Sequence, residues 1–140
     1  MPASIATRLR TTGGRGVTIG NSRAASPSAE LLNNIVQGNG GDASVKVFEK
    51  PRSDLRFVSD HNVIFPASYI PATLAGENDI GQDARFRNQP ANDFRLVADS
   101  PAIDAGGALT LTSLQLDLLH GRTTTGTGND TDPLDLGFHF

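Results

Sequence analysis

Apolar and polar positions along the chain are arranged in short runs separated by Gly, Pro, Asn, Asp and Ser. The runs are Gly16-Val17-Thr18-Ile19, Leu31 to Val36, Val45-Lys46-Val47-Phe48, Leu55-Arg56-Phe57-Val58, Val63-Ile64-Phe65 and Phe94-Arg95-Leu96-Val97. Each alternates or is rich in β-branched residues, is too short for a stable helix, and is bounded by turn formers, which predicts strands. Two stretches fit a helical turn or two. One is "SAELLNNIV"; the other is "ALTLTSLQLDLL", where leucines at mostly period-2 spacing also place Leu111, Leu114 and Leu118 on one helical face. The pattern as a whole predicts an all-β chain.

A weak internal repeat refines this. "LLNNIVQGNGG" and "SDHNVIFPAS" align on Asn34 and Asn62, each followed by two β-branched residues. Such self-similarity suits a solenoid whose coils stack on their neighbours. Asparagine suits a coil corner because it tolerates left-handed backbone and can hydrogen-bond to the equivalent Asn one coil away. Two unrelated Asn turns are the alternative reading.

Composition narrows the function classes. The 140 residues suffice for a core without staples, and cysteine is absent, so neither a disulfide framework nor a thiolate metal site is available. A formal charge of −3, with 12 scattered Lys and Arg, gives no basic stripe for nucleic acid. No stretch approaches the length of a membrane span, and "MPASIATRLRTTGG" lacks the apolar core of a signal peptide.

The segment "NDFRLVADSPAIDAGG" (92 to 107) resembles the C-terminal part of bacterial right-handed parallel β-helix proteins of the pectin-lyase-like kind. In these a Gly/Asn-Asp-Phe-x-Leu strand runs into Ser-Pro-Ala-Ile-Asp-Ala-Gly. "GENDIGQDARFRNQP" resembles the usual lead-in through Asn78, Ile80, Asp83 and Phe86, with Ala84 where the pattern has proline. Asp117, Gly121 and Arg122 resemble an Asp-x-x-Gly-x-Arg element, and Asp135-Leu136-Gly137-Phe138 resembles a closing Asp-Ile-Gly-Ala-Tyr-Glu before departing from it. The resemblance covers 31 to 140, is specific for architecture, and says little about activity because the family is functionally mixed. It implies a right-handed parallel β-helix (solenoid) fragment with a C-terminal closing segment, extracellular or at the cell surface in a parent protein.

The residues themselves suggest how the end is built. Pro101 removes a donor and ends the Phe94 to Val97 ladder. Ala102 and Ile103 are expected to turn inward. Asp104 is expected to accept hydrogen bonds from the Ala-Gly-Gly turn, where Gly106 and Gly107 allow positive φ, and Asp135 before Gly137 to fix the final turn likewise.

Candidate chemistry is sparse. The carboxylate pairs Asp54 with Asp60, Asp79 with Asp83 and Asp93 with Asp99 are candidates for glycoside hydrolysis, which needs a defined separation, but acids among turn residues are usually turn formers. "GTGNDTDPLD" places Asp130, Asp132 and Asp135 near one another as weak calcium candidates, without EF-hand order or the bidentate Glu. His61, His120 and His139 lack zinc spacing, no Gly-x-Ser-x-Gly elbow exists, and "TTGGRGVTIG" is no Walker loop. Arg52, Arg56, Arg85, Arg87 and Arg95 would line a glycan-facing row if their coils stack in register, though a solvated face is the default.

The sequence therefore reads as an N-terminal segment (1–30, one irregular coil or cap), β-helix coils (31–91), and a terminal coil with closing segment (92–140). Val45, Val47, Leu55, Phe57, Val63, Phe65, Phe94, Leu96 and Ile103 are expected to point inward. The expected role is a non-catalytic structural or carbohydrate-associated module, with no cofactor, that forms a homo-oligomer through an open N-terminal coil. The alternatives are a fragment of a polysaccharide lyase or glycoside hydrolase, and a self-assembling surface or viral fibre subunit.

Overall fold

The computed structural model describes residues 17–20, 28–38, 45–48, 56–107, 120, 130 and 133–136. Among these the regular structure is almost entirely β, so the chain belongs to the all-β class. The strands in chain order are β1 (Val17–Gly20), β2 (Ser28–Leu32), β3 (Ile35–Gln37), β4 (Val45–Phe48), β5 (Arg56–Asp60), β6 (Val63–Phe65), β7 (Tyr69–Ile70), β8 (Phe86–Asn88) and β9 (Asp93–Leu96). Two single turns of 3-10 helix, Ala72–Leu74 and Gln89–Ala91, interrupt them.

The first six strands form three parallel ladders with one spacing. Val17 pairs with Val45, Ser28 with Arg56 and Ile35 with Val63, an offset of 28 residues in each case (45 − 17, 56 − 28, 63 − 35). The strands β1, β2 and β3 thus make one tier and β4, β5 and β6 the next. A third, reduced tier follows: β7 adds to β4, and Ile80 forms a single parallel bridge to Val63. Between them the chain makes the 3-10 turn at Ala72–Leu74 instead of a strand beside β5.

A sharp bend separates β2 from β3 and β5 from β6. The run Leu31 to Val36, expected as one strand, is broken by Asn33 at φ 57°, and His61 at φ 51° makes the equivalent bend one tier on. The left-handed residue is therefore the one before each repeated asparagine. Asn34 and Asn62 themselves lie inside, 4% and 0% exposed.

Two apolar clusters hold the tiers. In the first, Leu31, Val36 and Ile64 are buried, with Val17, Phe57 and Tyr69 packed against them, so side chains from all three ladders meet. In the second, Val63, Ala84, Leu96, Ala102 and Leu136 are buried, with Ile35, Ile80, Phe86, Ile103 and Ala105 around them. The β3–β6 sheet is thus covered on both faces, Val36 and Ile64 turned to one cluster and Ile35 and Val63 to the other. Strand β6 consequently buries two consecutive residues. Phe65, expected inside, is 36% exposed and belongs to neither cluster. Phe57, Leu96 and Ile103 pack in the clusters, and Phe94 is half-buried with its ring edge-on to Phe86 at 5.3 Å. Leu55 and the side chains of Val45 and Val47 lie outside the described residues.

The segment that opened the family resemblance is built differently from a stacked coil. Strand β9 pairs antiparallel with β8 in a hairpin whose bend is made by Gln89–Ala91 and by Asn92 at φ 62°. Together with residues 100–107 and 134–136, the hairpin packs on the flank of the β3–β6 sheet rather than adding a parallel strand to it. Edge closure by antiparallel pairing needs only a short loop, whereas a further parallel strand would need a long crossover.

Candidate functional site

The densest polar constellation among the described residues follows from the repeated asparagines. The Asn34 backbone N–H donates to Asn62 Oδ1 (2.9 Å), and the Asn62 backbone N–H donates in turn to Asp79 Oδ1 (3.0 Å). The Asn62 side-chain amide donates to Leu31 O (2.8 Å), Asp60 O (3.1 Å) and Asp79 Oδ1 (2.8 Å). A fully buried amide with this many partners has its desolvation offset.

Asp79 is the end of this series. Its Oδ2 accepts from Ser59 Oγ (2.5 Å), Tyr69 OH (2.8 Å) and the Gly76 N–H (2.9 Å). Burial first, then the hydrogen bond to Asp79 and its charge, push the Tyr69 phenol well above its ordinary pKa. Gly76 is required for the approach: a Cβ there would stand 1.9 Å from Ser59 O. A carboxylate already accepting five donors is poorly placed to take a proton from a substrate, so Asp79 works as a structural acceptor.

The partner proposed for it, Asp83, is engaged elsewhere. Its Oδ1 accepts from Gln37 Nε2 (2.7 Å) and the Arg85 N–H (2.7 Å). Asp93 is held by Arg95 in a two-pronged pair (2.8 and 2.7 Å), and those hydrogen bonds lower its pKa to about 2. Asp99 pairs with Arg85. Asp60 bridges His61 Nδ1 (2.9 Å) and Asn78 Nδ2 (3.0 Å). Burial opposes its ionisation, but the bonds from Asn78 and His61 and the His61 charge win and lower its pKa. Asp54 lies outside the described residues.

The Ser-Pro-Ala-Ile-Asp-Ala-Gly-Gly element resolves into a turn and a seam. Ser100 Oγ donates to Ala84 O (2.6 Å) and accepts from the Ala102 N–H (3.1 Å), while the Ile103 N–H closes a turn over Pro101 onto Ser100 O (3.3 Å). The expectation for Asp104 needs correction. Asp104 itself takes the positive φ (53°), and its carboxylate is exposed. The turn N–H groups meant for it go elsewhere: Gly106 to Leu134 O (2.7 Å) and Gly107 to Asn33 Oδ1 (2.9 Å). Gly106 and Gly107 do not have positive φ. They are needed for close approach, since a Cβ would lie 2.5 Å from Leu134 O and from His61 Nδ1 respectively.

Asp135 Oδ1 accepts from the Asp104 N–H (2.9 Å), and Asp130 Oδ2 accepts from the Asp135 N–H (3.0 Å). Carboxylate oxygens of Asp104, Asp130 and Asp135 thereby fall within 4.8 Å of one another. Asp130 and Asp135 from the weak calcium set are brought together with Asp104, and both hold backbone N–H groups; Asp132 and Gly137 lie outside the described residues.

The arginines do not form one row of free cations. Arg85 and Arg95 are each committed to an aspartate, whereas Arg56 on β5 and Arg87 on β8 are exposed. Arg52 lies outside the described residues. Sequence reasoning missed the roles of Asp79, Ser59, Tyr69 and Asn33; only Asn33 and Ser59 lie close in sequence to a repeated asparagine. No helix among the described residues is long and apolar enough to cross a membrane. No family model matches the chain, and no curated protein or solved structure matches it either.

Proposed function

We propose that the chain is a non-catalytic, carbohydrate-associated module of right-handed parallel β-helix type, belonging to a secreted or surface protein. The observation that carries this reading is the common 28-residue offset of three parallel ladders, joined by side chains of an asparagine series. Stacked ladders of that kind suit a solenoid whose tiers each cover the next. The described aspartates among the catalytic candidates accept from backbone groups, from neighbouring polar side chains or from arginine, which favours scaffolding over acid–base work. The exposed Arg56 and Arg87 suit an anionic glycan.

Affinity electrophoresis in gels containing uronate or neutral polysaccharides tests the proposal, alongside assays for unsaturated product and new reducing ends. Retardation by a uronate polymer, weakened by Arg87→Ala and without product, is expected. Turnover lost on changing a single aspartate would instead make the chain part of a polysaccharide lyase or hydrolase. Absence of retardation in every gel would remove the carbohydrate half of the reading.

Self-association is favoured by a separate observation. Among the described residues no strand pairs with the outer edges of β1, β2 and β3. Open parallel edges invite pairing with another chain, so light scattering is expected to show a homo-oligomer; a monodisperse monomer at high concentration overturns this.

A further inference from the structure

The C-terminal flank makes contacts that nearest-neighbour stacking does not require. It reaches past the second tier and grips the first tier at both ends of β3. Before β3, Asn33 and Gly107 form a reciprocal pair: Asn33 Nδ2 donates to Gly107 O (3.0 Å), and the Gly107 N–H donates to Asn33 Oδ1 (2.9 Å). At the last residue of β3, Gln37 forms a second pair, donating from Nε2 to Asp83 Oδ1 (2.7 Å) and accepting the Ala84 N–H at Oε1 (2.6 Å). Gly107 crosses against the ring of His61, the second-tier residue equivalent to Asn33. Between the two grips, Ile35 of the first tier and Val63 of the second lie under Leu96, Ala102 and Leu136.

We infer that residues 83–107, held in place by 134–136, are a lateral clamp that locks the first tier to the second, so that both release as one unit. In a stack held only by neighbouring tiers, an outermost tier frays independently because each interface contributes its own increment of stability. Here the outer strand β3 shares its flank cover with β6. Removing it breaks two amide-type grips and uncovers Val63 as well as Ile35. The flank is braced internally by Ser100 on Ala84, and Ile80 of the reduced third tier packs in the same apolar cluster. Release of the first tier therefore disturbs all three.

Native-state hydrogen exchange of the full chain tests this. The reporters are the Asn34 and Gly38 amides, which bond across the first and second tiers, and the Ile64 and Ile80 amides, which bond the second to the third. In the wild type all four are expected to exchange at one common, slow rate. Asn33→Gly keeps the left-handed bend and deletes one grip; Gln37→Ala deletes the other. In the double variant, Asn34 and Gly38 are expected to exchange roughly tenfold faster than Ile64 and Ile80, as expected for the loss of part-buried hydrogen bonds. If the double variant does not fold, Asn33→Asp, which keeps the acceptor for Gly107 N–H and loses only the donor, is read the same way with a smaller separation of rates. A first tier that already exchanges faster in the wild type overturns the inference, as does a variant in which the four rates stay equal.

Discussion

Removing the Asp79 carboxylate should destabilise the whole β region, and the magnitude follows from its donors. In Asp79→Ala, five groups lose their acceptor. Not all are stranded. Tyr69 is half-buried and can turn to water, and the Asn62 side-chain amide keeps Leu31 O, Asp60 O and Ser59 Oγ (3.2 Å) as acceptors. The Asn62 backbone N–H has no such freedom, because Asn62 is 0% exposed. An orphaned buried donor costs about 1–3 kcal/mol. Freeing the 76–79 turn, which Asp79 ties to β5, adds to that, so about 2–4 kcal/mol is expected in total. At about 3 °C per kcal/mol for a chain of this size, the melting temperature should fall by roughly 6–12 °C. Asp79→Asn should fall less, since it can keep an oxygen toward Asn62 and sacrifice the Gly76 N–H. Thermal and urea denaturation of both variants provide the check. An alanine variant melting within a degree or so of wild type would mean that Asp79 is a solvated acid and not the acceptor that joins β5 to the 76–79 turn.

Other tests follow from the same geometry. Gly76→Ala places a Cβ against the Ser59 carbonyl, so a loss of more than about 3 kcal/mol in urea denaturation is expected; a small loss would show the turn to be pliable. Tyr69 is the sole tyrosine, so phenolate absorbance reports it alone. Because its folded pKa is raised, its contribution to stability is full below the ordinary phenol pKa of about 10 and is lost as pH rises beyond it; a titration at the ordinary value in the folded protein would contradict this. Asn62→Asp would bring a second carboxylate to the position now 2.8 Å from Asp79 Oδ1, where two ionised carboxylates repel each other. That variant should be less stable than wild type at neutral pH and should recover part of the difference on acidification, as one carboxyl binds a proton; a constant deficit between pH 4 and 7 would argue against close approach of the two groups.

The strands were legible in the sequence because they are short, β-branched and punctuated, and the asparagine alignment carried the true period: Asn34 and Asn62 are separated by the same 28 residues as the ladders. What misled was the assumption that each strand has one buried face. Strand β6 is covered on both, so strict alternation wrongly placed Phe65 inside and overlooked Ile64. The equivalence of Asp79 to the asparagines was hidden because it follows Asn62 by only 17 residues (79 − 62), the third tier having lost a strand. Gly106 and Gly107 were recognised as special for the wrong reason. Sequence identifies a position that excludes a side chain, but whether torsion or crowding excludes it depends on neighbours such as Leu134 and His61, remote along the chain.

The order of the series, two asparagines and then an aspartate, has a chemical logic. An asparagine both accepts and donates, so each one that accepts from the tier before leaves its own backbone N–H, now buried, requiring an acceptor from the tier after. Asn62 meets that requirement with Asp79, as it meets the requirement of Asn34 itself. A further asparagine would add a side-chain NH2 that needs acceptors of its own. A carboxylate only accepts, and Asp79 gathers the remaining donors of Ser59, Tyr69 and Gly76 without presenting a new side-chain donor of its own. Its own backbone N–H is met locally by Gly76 O (3.2 Å), within the same turn. The series therefore stops where the chain stops adding full tiers, and the residue that stops it coincides with the loss of the strand beside β5. Side-chain chemistry and topology terminate the ladders at the same place, which is why the flank that follows is free to fold back along the β3–β6 sheet.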